Sequence, residues 1–301
     1  MRRFAEMKPA NWPAGAGSST SALQPSRLIS GAVAWWHVQL GAVALLNLVF
    51  WALSAAAVSR GQSASHPGAN AACVMQLVLS AVYMLGCAFR SVLPVYDIPR
   101  IVIVDSRLSS VMVGRSVATV AELCFAAQWA LILHRIALLS HNPFGSAVSL
   151  AIVPLVLVAE VYSWHAVLTT EQRGHAVENS LWGLSAALVV ASLLLIGPHG
   201  HAEFFPPMIA WSVGGAAYAA FIFFFDVPMY WSRWRLDRSA GRRYLSIAQG
   251  ISEVCTRRVV SHRWQDWKSE MLWMSLYFSL GVWSSISLVY ASITLGTYSQ
   301  F

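Results

Sequence analysis

Charge is scarce in this chain. Asp, Glu, Lys and Arg make up only 11% of its 301 residues, well under the roughly 25% of soluble domains, so an ordinary water-soluble fold is excluded. Lysine is nearly missing: Lys8 and Lys268 stand against eighteen arginines. Cysteine is confined to Cys73, Cys87, Cys124 and Cys255, with no Cys-x-x-Cys pair. That leaves no disulfide framework and no thiol-based zinc or redox motif. Two further motifs are absent: Gly-x-Ser-x-Gly, which presents a serine nucleophile, and His-Glu-x-x-His, which holds zinc on a helix.

What the chain has in abundance is long apolar runs. Hydrophobic residues make up 57% and the mean hydropathy is +0.56. Seven stretches, 36–58, 72–93, 110–133, 146–168, 178–197, 207–230 and 270–294, reach the length of about 20 residues needed to cross a hydrocarbon core. The expected fold class is therefore all-α, a polytopic seven-transmembrane-helix bundle in an inner or plasma membrane. Residues 1–34, rich in Pro, Gly, Ser and Ala, read as a flexible cytoplasmic arm before a transmembrane domain over 35–301. No cleaved leader is expected, because the first apolar run lies too far from Arg2-Arg3.

The placement of the positive charge gives the orientation. With the N-terminus inside, eighteen of the twenty basic residues fall on the cytoplasmic side, and only Arg60 and Arg135 fall outside. Such a bias predicts an N-in, C-out chain with an odd number of spans. The same distribution argues against nucleic acid as the partner of the net charge of +7.

Seven spans are also found in retinal proteins and in hydrolases related to adiponectin receptors. Neither set of chemical residues is present: no lysine lies within 270–294 to form a Schiff base, and that run has no His-x-x-x-His.

The candidate site starts from Glu122, near the middle of the third run. Arg115, Thr119 and Glu122 recur at i, i+4 and i+7, one polar stripe on an otherwise apolar helix. A charge at the bilayer centre costs roughly 2.5–3.5 kcal/mol on insertion scales, so the stripe should face protein or water. Counting helix rise from residue 168 puts Glu160 about 12 Å and His165 about 5 Å inside the cytoplasmic boundary. His175, Glu178 and Asn179 open span five, and Asp226 closes span six. These positions predict a polar cavity open to the cytoplasm, lined by Arg115, Thr119, Glu122, Glu160, His165, His175, Glu178, Asn179 and Asp226.

Transport of protons or of a small or amphipathic solute is the leading expectation, with Glu122 as its titratable centre. The alternatives are a membrane enzyme acting on a lipid or quinone-like molecule, and a non-catalytic sensor or assembly factor. Glu122, Glu160, His165, His175 and Glu178 are the right types for a metal, but their spacing matches no metal motif, and no cofactor is indicated.

The stretch 231–269 is expected to be a basic, Trp-rich cytoplasmic loop. A helix over 242–261 would gather Leu245, Ala248, Ile251, Cys255 and Val259 on one side. Together with Arg242, Arg243, Arg257, Arg258, Trp264 and Trp267, that is the pattern of a segment lying on anionic lipid headgroups. A homo-oligomer or a membrane-complex partner is compatible with this surface. Small polar residues such as Asn47 and Ser285 are expected to bond neighbouring helices.

Overall fold

The computed structural model describes residues 31–61, 67–197 and 205–298. The arm up to residue 30 and the loop carrying His199 and His201 lie outside them. The fold is all-α, and among the described residues seven helices are long and apolar enough to cross a membrane.

α1 (Gly31–Gly61) and α2 (Pro67–Val92) are followed by two short strands, β1 (Val95–Tyr96) and β2 (Ile101–Val102). α3 (Val111–Leu139), α4 (Pro143–Thr169) and α5 (Gln172–Ile196) come next. The sixth span joins α6 (Phe205–Phe221) to α7 (Val227–Ser239) through a π turn at Ile222–Asp226. After α8 (Ile247–Thr256) and β3 (Val259–Val260), the seventh span joins α9 (Trp264–Leu276) to α10 (Val282–Tyr298) through a second π turn at Tyr277–Gly281.

Side-chain caps set where the central helices begin. Ser110 accepts from the Val113 amide at 3.3 Å, and Asn142 accepts from the Gly145 amide at 2.8 Å with Pro143 behind it. The observed helices run past most of the apolar stretches: α3 continues to Leu139, α7 to Ser239, and α9 starts at Trp264. Apolarity marks the part of a helix that suits lipid, whereas arginine and tryptophan carry the same helix onward. The expected loop 231–269 is thereby reduced to 240–263. Lys268 falls early in α9 and is exposed.

Each helix packs on its successor from α1 to α6, and α10 returns against α2, α1 and α3. Buried polar side chains join the spans where no water is available. Gln76 Nε2 donates to the Gln128 carbonyl at 2.9 Å, and Gln128 Nε2 donates back to the Gln76 carbonyl at 3.1 Å. Ser285 Oγ adds a 2.5 Å bond to Gln128 Oε1. Asn47, as expected, bonds across helices: it donates to the Phe278 carbonyl at 2.7 Å and accepts from Trp283 Nε1 at 2.9 Å. Phe278 lies in the second π turn, where the helix ladder leaves a carbonyl free for such a partner.

One end of the bundle carries a cap. β1 pairs antiparallel with β2, and β2 pairs parallel with β3, so the loop after span two is joined to the segment before span seven. Arg100, only 2% exposed, fastens this cap: Nε donates to Glu253 at 3.0 Å, and Nη1 reaches the Val167 carbonyl at the end of α4 at 3.3 Å. Burial lowers its pKa, and the adjacent Glu253 opposes that effect. Gly250 lets α8 dock on α4, since a Cβ there would overlap the Leu168 carbonyl. The charges of the 97–107 loop, which the sequence suggests pair with one another, pair instead across the cap. Arg100 takes Glu253, and Arg258 takes Asp105 at 3.3 Å.

Candidate functional site

Three helices bring the polar stripe together. The bend between α4 and α5 is made by Thr170 in the left-handed conformation, φ 62°, and it turns the chain back within two residues. Close approach then depends on Gly174, where a Cβ would sit 2.7 Å from the Tyr162 carbonyl oxygen and 2.8 Å from the Ala166 Cβ. With α5 held this tightly to α4, Glu178 reaches the same space as Glu160, and α3 supplies Arg115 from the third side.

The guanidinium is the hub. Arg115 Nη2 lies 3.0 Å from Glu178, 3.1 Å from Glu160 and 3.7 Å from Glu122, while Nη1 is 4.0 Å from Asp97. Each of the three glutamates has a further donor of its own. Thr119 Oγ1 donates to Glu160 at 2.5 Å and itself accepts from Trp164 Nε1 at 3.0 Å. His175 Nδ1 meets Glu178 at 2.7 Å, and Tyr277 donates its hydroxyl to Glu122 at 2.9 Å. Four carboxylates thus surround one guanidinium and one imidazole.

The cluster is closed. Side-chain exposure is 7% for Arg115, 9% for Glu122, 2% for Glu160 and 11% for Glu178. The expected open cavity is filled by its own side chains, with the guanidinium packed among the carboxylates at 3.0–4.0 Å. A groove of about 280 Å³ does exist, lined by Phe50, Leu53, Trp283, Ile286, Ser287 and Tyr290, and no cluster residue borders it.

The structure brings Arg115, Thr119, Glu122, Glu160, His175 and Glu178 together, and three members of the predicted set stand apart. His165 is exposed on the outer face of α4, since it is five residues from Glu160 and points away from it. Asn179 Nδ2 donates to the His175 carbonyl of its own helix at 2.9 Å, which ties it back to the backbone. Asp226 is half-buried on the π turn and has no ion pair among the described residues. The metal reading loses His165 in the same way; Glu122, Glu160 and Glu178 offer oxygens within 4.8 Å of one another, with Arg115 against them.

Asp97 and Tyr277 join the cluster without having been anticipated. Asp97 lies in the cap loop, distant in sequence from any polar stripe. Tyr277 is turned toward Glu122 by a π turn that hydropathy does not reveal. Nearby, Tyr96 is half-buried under the cap beside Glu270; desolvation and that carboxylate push its hydroxyl up to about 12.

The basic segment departs most from expectation. Trp267 is fully buried, donates to the Ser261 carbonyl at 2.9 Å and packs on Trp36 with ring centroids 5.5 Å apart, so it belongs to the core and not to a membrane surface. The helix is ten residues long instead of twenty, because β-branched Val259 and Val260 continue as strand. Arg242, Arg257 and Arg258 pair with Asp237, Glu253 and Asp105. Arg243 and Trp264 are exposed, as are Ile247 and Ile251 on the outer side of α8.

No protein-family model, curated protein or solved structure matches the chain.

Proposed function

We propose that this protein is a proton-coupled carrier, oriented N-in and C-out in an inner or plasma membrane, with the Arg115 cluster as its ion-exchanging centre. The reading is carried by one observation: Asp97, Glu122, Glu160 and Glu178 surround the lone guanidinium of Arg115 in a closed site. If all four were ionised, the charge left after Arg115 would be desolvated at a cost of several kcal/mol per ion. Neutrality inside the membrane then requires bound protons or a bound cation, and exchange between the two is the chemistry of a carrier. Arg115 holds Glu160 and Glu178 at 3.0–3.1 Å. Glu122, at 3.7 Å and hydrogen-bonded to Tyr277, is the group most free to exchange. The orientation rests on the eighteen basic residues expected on one side.

The test is proton movement in vesicles containing the purified full chain and an internal pH-sensitive dye. Wild type should dissipate an imposed pH gradient faster than empty vesicles, and Glu122→Gln should return the rate to that of empty vesicles. Equal rates for wild type and empty vesicles, with and without added solutes, would remove the carrier reading.

A second reading has one observation in its favour, the three glutamate oxygens within 4.8 Å of one another. It assigns the cluster to a divalent cation, with Arg115 displaced on binding. Metal analysis after dialysis against Mg²⁺, Mn²⁺ and Zn²⁺ separates it: stoichiometric metal lost in Glu160→Gln supports this reading, and no retained metal rejects it.

A further inference from the structure

Spans six and seven close the bundle with little backbone packing between them. α6 lies along α5, and α10 lies along α2 and α1. What joins the two spans is a row of side chains. Trp211 Nε1 donates to Ser287 Oγ at 2.9 Å. Beyond it, the Trp273 ring stacks with Tyr218 and Phe221 at centroid distances of 6.4 and 6.0 Å. Trp273 also meets Tyr277 at 6.1 Å, and Tyr277 is hydrogen-bonded to Glu122. An aromatic path thus runs from Phe221, exposed on the outer flank, to the carboxylate at the centre.

Both spans are irregular beside this seam. The π turns at Ile222–Asp226 and Tyr277–Gly281 interrupt them on either side of it. Such turns occur frequently at functional sites and allow a helix to bend. In the sixth span the cause is local: Pro228 has no amide hydrogen for the preceding turn, and the wider turn accommodates its ring.

The chemistry of the seam selects its occupant. Aromatic faces attract cations, more strongly when the cation is desolvated, and the inner end of the path carries more carboxylates than positive groups. Ser163, fully buried beside Glu178, turns its hydroxyl toward that carboxylate and adds to the polar lining of the cluster. An anion would be repelled there, and a hydrated metal ion would not travel through hydrocarbon. We infer that the seam between spans six and seven is a lateral portal, through which the acidic cluster receives an organic cation with an apolar body, such as a substituted ammonium, directly from the membrane. This rests on the carrier reading and names its substrate class.

The experiment is equilibrium binding of tetraphenylphosphonium to the full chain in lipid nanodiscs. Wild type should bind saturably, and tetraphenylborate, of the same shape and opposite charge, should not compete. Glu122→Gln and Trp273→Ala should each weaken binding roughly tenfold, the size of one desolvated cation contact. Should Trp273→Ala fail to elute as a single species, Phe221→Leu replaces it with the same expected direction. Equal binding by wild type and variants, or competition by tetraphenylborate, overturns the portal. A wild type that moves protons without binding the probe overturns the portal alone. Saturable binding lost in Glu122→Gln, without proton movement, keeps the portal and rejects only the carrier.

Discussion

Replacing Arg115 by Met tests the electrostatic core of the argument directly. The variant keeps an apolar stem of similar length and removes the only guanidinium, among the described residues, within 4.0 Å of Asp97, Glu122, Glu160 and Glu178. Removing one partner of a buried ion pair costs about 3–5 kcal/mol. A second route gives a similar figure. To remain buried without the guanidinium at pH 7, one carboxylate of the cluster must bind a proton. For a glutamate with an ordinary value near 4.3 that costs ~1.36 kcal/mol per pH unit over about 2.7 units, or about 3.7 kcal/mol. The variant's native state then holds more protons than its unfolded state, so its stability rises as pH falls. At pH 5 the same proton costs only about 1 kcal/mol. Thermal unfolding of detergent-purified protein between pH 5 and pH 8 should show a large deficit at pH 7 that mostly closes at pH 5. Adding Glu160→Gln should restore part of the loss at pH 7. A deficit below about 1 kcal/mol at pH 7, or an equal one at pH 5, would refute the reasoning.

Gly174→Val should push α5 off α4 and cost about 1–3 kcal/mol, read as a lower unfolding temperature together with loss of proton movement. Gln128→Leu removes the amide clasp with Gln76 and Ser285; a loss of about 1–2 kcal/mol is expected in the same assay, with proton movement retained. Tyr96, whose hydroxyl is pushed up to about 12, favours the folded state fully below its ordinary value of 10.0 and loses that contribution as pH rises through 12. Tyr96→Phe should therefore flatten the fall in stability over that window. Finally, a fluorescent protein fused after Phe301, of a kind that matures only in the cytoplasm, should stay dark if the chain is N-in and C-out, and a bright fusion would reverse the orientation.

The seven spans were legible because a hydrocarbon core demands length and apolarity together, and both are written in the sequence. The hub of the site was legible for a related reason: Arg115, Thr119 and Glu122 share a helical stripe too costly to face lipid. Helix periodicity does not fix rotation relative to a neighbour, however. Depth alone therefore put His165 with Glu160, although five residues carry it round to the opposite face. Asp97 and Tyr277 were hidden for different reasons. One arrives through a loop whose partner strand lies more than 150 residues away in sequence, and the other through a π turn that shifts register without altering composition. Trp267 shows the limit of reading tryptophan beside arginine as a membrane anchor, since the same ring fills a core when a tryptophan such as Trp36 stands opposite.

The cap has a consequence for how the chain is made. Strand β3 and Glu253 are synthesised long after Arg100 and β2, the residues they secure. Until that late segment leaves the ribosome, Arg100 lacks its carboxylate and β2 has an unpaired edge, so a chain halted after span six is recognisably unfinished. Truncation before residue 253 should therefore lower the stability of this end of the bundle even when the first six long helices are complete.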